Sequence, residues 1–347
     1  TKWGNDMYLL LGQAYYYKGG FENASIAFRY IIANDQKNKL KKGKGSSYSR
    51  SKDAPSIVDK KKKSKLAFWQ HKSVHNDAIL WLARTYVTAG QIDNACSVLS
   101  LLEFDSDLPE NLKGRLAIEK AFSYLKTQSY PEASEQLEIA RKDNNLPDWL
   151  RVRAAFLNGQ LLQRIGNHEL AATNFEFVLD FYPKIEMDFY ARKYIADNKL
   201  LVGSNIANAT TPLRKMLRDA KYANYYDQVY YVLGKLEAKS GDVGQAAEYF
   251  TKSTTVAKAT KKQKALSFAA LGDVYYSSGQ YQSAKAAYDS AGKYSGGAKD
   301  KSLAVITQRT NGLNEIAGPA NLIKETDSLL QMAALSKKEQ QQIRKYK

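Results

Sequence analysis

The sequence predicts an all-α fold, a solenoid of stacked helical hairpins. Three observations predict it: small and aromatic residues recur at fixed offsets, glycine-containing turns separate them, and the best-defined runs start 38 residues apart. The clearest run is Phe268 to Ala291, FAALGDVYYSSGQYQSAKAAYDSA, with Leu271, Gly272, Tyr275, Gly279, Ala284, Tyr288 and Ala291 at those offsets. Its small residues let two antiparallel helices pack closely. One such hairpin cannot bury its own apolar face, so others must stack on it.

In chain order, Tyr8, Leu11, Gly12, Tyr15, Gly19, Ala24 and Phe28 define a first unit starting near Asn5. A second starts near Asn76, with Ile79, Leu82, Ala83, Tyr86, Gly90, Ala95, Leu99 and Leu102. The third, near Gly114, carries Ala117, Ala121, Tyr124, Ala133, Leu137 and Ala140. The fourth, near Val152, carries Gly159, Leu162, Gly166, Ala171, Phe175 and Val178, with Pro183 at its end. Later units start near Asp227 and Ala265, again 38 apart. These offsets resemble the tetratricopeptide signature, Leu-Gly, Tyr, Ala, an aromatic and Ala, lengthened from its usual period of about 34 by roughly one helical turn. The resemblance implies a tetratricopeptide-repeat (TPR) right-handed superhelical solenoid of about seven repeats, closed by C-terminal capping helices.

Two departures from the period set the organisation. Between Val152 and Asp227 there is room for a degenerate unit at about 189–222. FYARKYIADNKLL reads as its first helix, Gly203 to Thr211 as a loop, and Pro212 as the opening of a second helix, LRKMLRDAKYA. Between Asn5 and Asn76 an insertion is required. The chain thus divides into a first hairpin (1–35), a basic and mobile insertion (36–73), the solenoid proper (74–297) and capping helices (298–347). In the last part Gly318 and Pro319 are expected to separate a helix at Ser302 to Ile316 from one at Leu322 to Leu335. The polar SKKEQQQIRKYK then suits a solvent-facing end.

Charge is concentrated in the insertion. Its thirteen Lys and Arg face only Asp35, Asp53 and Asp59, which leaves +10 of the chain's +17 in this one stretch. Lys41, Lys42, Lys60, Lys61, Lys62, Lys63 and Lys65 form runs that can meet nucleic acid, anionic lipid or an acidic protein, or can simply remain solvated. Leu66, Ala67, Phe68 and Trp69 are expected to anchor the return of the insertion onto the array.

Little in the sequence points to catalysis. His71 and His75 are four apart, but no intervening glutamate and no third ligand completes a metal site. Cys96, the single cysteine, has no evident base and reads as a small buried thiol beside Ala95. Glu103, Asp105 and Asp107 lack calcium-loop spacing, and the glycines of SGDVGQ belong to an inter-helix turn. No cofactor is implied. No apolar run approaches the roughly 18 residues that span a bilayer. The chain opens inside a repeat helix, as a piece cut from a longer protein does.

Binding is the remaining mode. In such arrays the concave groove is lined from the first helix of each unit, at about the second, fifth, ninth and twelfth positions. This places Leu9, Gln13 and Tyr16, then Leu80, Arg84 and Val87, Ile118, Phe122 and Leu125, Phe156, Gln160 and Gln163, and finally Tyr231 and Lys235 in the groove, or in the core between hairpins. A groove of this kind suits a helix or an extended segment of a partner. The Lys and Asn pattern that clamps a terminal carboxylate is missing, with Leu9 and Gln13 in its place.

Four segments carry a further resemblance: HNDAILWLARTYVTAGQIDNA (His75 to Ala95), FYPKIEMDFYARKYIADNKL (Phe181 to Leu200), LRKMLRDAKYANYYDQVYYVLGKLEAKSGD (Leu213 to Asp242) and DSLLQMAALSKKEQ (Asp327 to Gln340); the degenerate unit, the MLRDAKYANYYDQVYY passage and the DSLLQMAALS tail depart from ordinary repeats. In these the sequence resembles the PorW/SprE lipoproteins of Bacteroidota, accessory components of type IX secretion and gliding motility. The resemblance implies a non-enzymatic periplasmic adaptor, anchored in the outer membrane by a lipid on a cysteine outside this chain, that links the translocon to the periplasmic ring lipoprotein complex. It implies no catalytic residue, cofactor or nucleic-acid partner. Two other functions remain open: a cytoplasmic binder of nucleic acid or an anionic surface through the insertion, and an assembly chaperone for exported proteins.

Overall fold

A left-handed residue closes the first helix of each hairpin, and these residues mark the repeat more regularly than any side chain does. They are Gly19, Gly90, Gln128, Gly166, Gly203, Gly241 and Gly279, with φ between 61° and 90°. From Gly90 onward they recur every 37 or 38 residues. The computed structural model describes residues 3–41, 57–58, 73–203, 205–295 and 301–335. Among these residues the fold is helical, and the chain divides into two compact units, 1–182 and 183–347.

Unit 1 holds four hairpins: α1 (Gly4–Tyr17) with α2 (Phe21–Lys41), α3 (His75–Thr88) with α4 (Ile92–Glu103), α5 (Glu110–Lys126) with α6 (Tyr130–Lys142), and α7 (Asp148–Arg164) with α8 (His168–Asp180). α2, α4 and α6 each also pack on the first helix of the following hairpin, and α3 packs on α5. The buried side chains form three successive clusters, one with Phe28 and Ile31, one with Leu99 and Leu102, and one with Leu137 and Leu161. Cys96 departs from the expectation of a buried thiol, because it is exposed. Ala95 takes the core position, and consecutive helical residues point about 100° apart.

The insertion begins as a continuation of α2, which runs to Lys41. It returns through Ile57 and Val58. Both amides donate to Asp105 Oδ2, at 2.7 and 3.3 Å, and the Ile57 carbonyl meets His75 Nε2 at 2.8 Å. His75 is fully buried, with Nδ1 3.4 Å from Asp35 Oδ2. Val58 is buried in the α3–α4–α5 core. The expected anchor, Leu66 to Trp69, and His71 lie outside the described residues.

Unit 2 holds α9 (Ile185–Leu201) with α10 (Ile206–Met216), a 3-10 turn at Ala220–Tyr225, α11 (Tyr226–Ser240) with α12 (Val243–Thr255), α13 (Lys261–Ser277) with α14 (Tyr281–Ser295), and α15 (Lys301–Ala334) packed on α13 and α14. The degenerate unit is thus a hairpin, but α10 opens at Ile206 rather than at Pro212. Asn205 caps it by accepting from the Ala207 amide at 2.9 Å, and Pro212 lies inside. The 3-10 turn closes the unit: buried Tyr222 donates to the Asp188 carboxylate, which also pairs with Arg192 at 3.1 Å, while Phe189 stacks on Tyr225. The C-terminal expectation is corrected as well. α15 passes through Gly318 and Pro319 without a break. Both residues are exposed, so water can satisfy the carbonyl that Pro319 leaves without a donor. The final segment, 336–347, lies outside the described residues.

Candidate partner-binding site

A concavity of unit 1 is built by α1, α3, α5 and α7, the first helices of its four hairpins. It holds about 460 Å³ and is lined by Tyr17, Leu80, Trp81, Arg84, Arg115, Ile118, Glu119, Trp149, Leu150 and Arg153. That volume falls within the range of ligand pockets, about 300–1,000 Å³.

Repeat geometry explains its electrostatics. Asp77, Arg115 and Arg153 occupy the second position of successive units and are spaced by the 38-residue period. Arg115 reaches back to the Asp77 carboxylate one unit earlier. One unit further on, the residue at the position of that acid is Arg115 itself, so Arg153 has no acidic counterpart. Among the described residues no carboxylate pairs with Arg153, and the nearby Asp148 is held by Arg151 at 3.1 Å. The Arg153 guanidinium instead lies 5.2 Å from the Trp149 ring, a pairing repeated on α3, where Arg84 lies 5.2 Å from Trp81. Such cation–π contacts hold a guanidinium in place while leaving its N–H edge available.

The floor is a buried ion pair. Glu119 accepts from Arg84 Nε at 3.0 Å and Nη2 at 2.7 Å, the fork geometry of a guanidinium on a carboxylate. Burial pushes the Glu119 carboxyl above its ordinary 4.5, although Arg84 and then Arg115 oppose the shift. Desolvation outweighing Coulomb attraction is the usual balance for such pairs.

The sequence-predicted groove residues divide between surface and core. Leu80, Arg84 and Ile118 line the cavity. Leu80 and Val87 are almost wholly buried, and Leu9 packs against the α1–α2–α3 core. Tyr16 joins α1 to α3 through its hydroxyl, 3.0 Å from Thr88 Oγ1. Phe122 sits beneath the Lys126 ammonium at 5.7 Å, Leu125 packs into the α5–α6 core, and Phe156 meets Phe175 edge-on at 5.5 Å. Gln13, Gln160 and Gln163 are partly exposed. In unit 2, Tyr231 packs against Phe250 at 5.8 Å and Lys235 is 3.9 Å from Asp197. Lys41 ends α2, whereas Lys42, Lys60, Lys61, Lys62, Lys63 and Lys65 lie outside the described residues. Sequence reasoning missed Tyr17, Trp81, Arg115, Glu119, Trp149 and Arg153. The second-position repeat of Asp77, Arg115 and Arg153 was the available signal. The two tryptophans carry none, since an indole on the first helix of a hairpin reads equally well as core.

Unit 2 has its own concavity of about 400 Å³ beside α13, α14 and α15. There Tyr288 and Arg309 both donate to Asp273. Burial, and then the Asp273 carboxylate, raise the Tyr288 phenol well above its usual range. Among the described residues no group of three His, Cys, Asp or Glu could hold a metal ion, and no helix is long and apolar enough to cross a membrane.

These paired helices with their left-handed turns are the tetratricopeptide-repeat fold. A tetratricopeptide-repeat family model matches residues 227–260 and 265–292, the α11–α12 and α13–α14 hairpins. Among solved structures, the chain is similar to the apo form of RapI at 13% identity, over 94% of this chain and 86% of that one, with a TM-score of 0.56. It is also similar to a tetratricopeptide repeat protein from Parabacteroides merdae ATCC 43184 (14% identity, 88% and 98% covered, TM-score 0.43) and to a Rap protein complexed with Competence and Sporulation Factor (16%, 95% and 91%, 0.45). No curated protein matches it.

Proposed function

We propose that this chain is a non-enzymatic structural adaptor that holds protein partners on the first-helix faces of its hairpins. The observation that carries the proposal is the unit 1 cavity, where exposed aromatic rings and guanidiniums from three successive repeats converge. Nothing in it pairs a nucleophile with a base. The machine it serves is read from the resemblance of four of its segments to the PorW/SprE lipoproteins: type IX secretion and gliding motility, with the chain in the periplasm, tethered to the outer membrane by a lipid outside this sequence, between the translocon and the ring lipoprotein complex.

Affinity purification from the native cell envelope under mild solubilisation, followed by mass spectrometry, tests this. Translocon or ring components should be recovered in stoichiometric amounts, and recovering none overturns the assignment. The concentration of +10 in residues 35–73 favours a second reading, an anionic-surface binder. Deleting residues 37–65 separates the two: an adaptor keeps its protein partners, whereas a surface binder loses salt-sensitive binding.

A further inference from the structure

We infer that the unit 1 cavity selects a partner segment that carries an acidic side chain beside an apolar one, with Arg153 as the charge anchor. This rests on the adaptor reading and specifies its partner.

Charge supplies the first reason. Of the three guanidiniums in the cavity, Arg84 is committed to Glu119 and Arg115 to Asp77. Arg153 is left with an aromatic face beneath it and no carboxylate, because the repeat puts an arginine where its acid would stand. One carboxylate from outside completes the pattern that Asp77 and Arg115 begin, within a chain of net charge +17.

Shape and polarity supply the second. Trp149 is 59% exposed and Tyr17 76%, and the partly exposed Ile118 and Leu150 add apolar surface to the lining. A purely ionic ligand leaves that surface wet, and a purely apolar one leaves Arg153 unmatched. An acidic residue next to Leu, Phe or Trp satisfies both. A polyphosphate backbone fits less well. Two of the three cations are already neutralised, which leaves one guanidinium without a carboxylate among the described residues, a match for a single acid rather than for a run of phosphates.

The test is a phage-displayed random peptide library panned on the intact chain, on Arg153→Glu, and on Trp149→Ala and Tyr17→Ala as controls for the cavity, each variant checked for native helicity. Peptides selected by the wild type should be enriched in Asp or Glu next to a large apolar residue. A synthetic representative should bind Arg153→Glu about tenfold more weakly, lose affinity with added salt, and lose it again when its acid is replaced by the amide. Panning on Arg153→Glu should enrich Lys or Arg instead. If selected peptides depend on Trp149 and Tyr17 but show no acidic enrichment and bind Arg153→Glu equally well, the inference fails while the adaptor reading stands. If the selected peptides ignore all three substitutions, the cavity is not the partner site and both fail. Displacement of the peptide by a labelled oligothymidylate at equal concentration assigns the site to nucleic acid and also overturns the inference.

Discussion

Gly272 of α13 lies against the ring of Tyr288 on α14 so closely that a β-carbon on the glycine would stand 2.6 Å from Tyr288 Cε1. The same relation holds for Gly12 with Phe28, Gly159 with Phe175 and Gly234 with Phe250. The two residues are sixteen apart in each case. In the second and third hairpins alanine holds this position and leucine stands sixteen further on: Ala83 with Leu99 and Ala121 with Leu137, all four buried. These six hairpins therefore fill a fixed space in one of two ways, glycine with an aromatic ring or alanine with leucine, whereas the degenerate α9–α10 hairpin has Ala196 and Pro212 there.

This exchange is testable in the fourth hairpin. Gly159→Ala drives a methyl into the Phe175 ring and should destabilise unit 1 by about 1–3 kcal/mol. Phe175→Leu alone should also destabilise it, by leaving a cavity. Together they rebuild the alanine–leucine form, so the double variant should be more stable than the sum of the singles by at least about 1 kcal/mol. Urea unfolding of the four proteins measures this, and strict additivity would refute it.

Gln128 is the one turn residue of its series that is not glycine, at φ 61°. A side chain there costs about 1 kcal/mol or more. Gln128→Gly should raise the unfolding midpoint correspondingly, with no change in helical content.

The Glu119 carboxyl, raised by burial above 4.5, makes unit 1 sensitive to pH. The folded state holds this proton to higher pH than the unfolded chain does. Its contribution is therefore fully present below about 4.5 and is lost as pH rises through the raised folded value. The stability difference between wild type and Glu119→Gln should change across that window, with the wild type losing ground as pH rises. A difference independent of pH would rule the account out.

Asp105 accepts from both Ile57 and Val58, and His75 holds the carbonyl between them. Asp105→Ala strands two amides, a loss of about 1–3 kcal/mol in local docking. Trypsin should then cut within residues 36–73 sooner, while the remaining hairpins stay intact.

In the degenerate unit, Tyr222→Phe removes a hydrogen bond to the Asp188 carboxylate that also holds Arg192. Such bonds contribute about 1.5–3 kcal/mol. Hydrogen exchange should show that the loss falls on α9 and the 3-10 turn rather than on α13 and α14.

The amino-acid sequence alone establishes the helical hairpins, their period and their glycine-marked turns. These are local matters: spacing along the chain fixes which residues share a helix face, and glycine meets the turn's backbone at no steric cost. It also establishes that charge gathers in one insertion. Only the tertiary structure decided that Ile57 and Val58 dock on Asp105 and His75, that Tyr222 reaches back to Asp188, and that α10 and α15 run through Pro212 and Pro319. It also decided that Cys96 faces outward, and that Trp149 and Arg153 join Arg84 and Glu119 in one cavity. Each of these depends on partners 18 to 48 residues away or on the solvent a helix meets once packed. A linear pattern ranks propensities, whereas the satisfaction of buried donors, acceptors and charges is settled only when the hairpins stack.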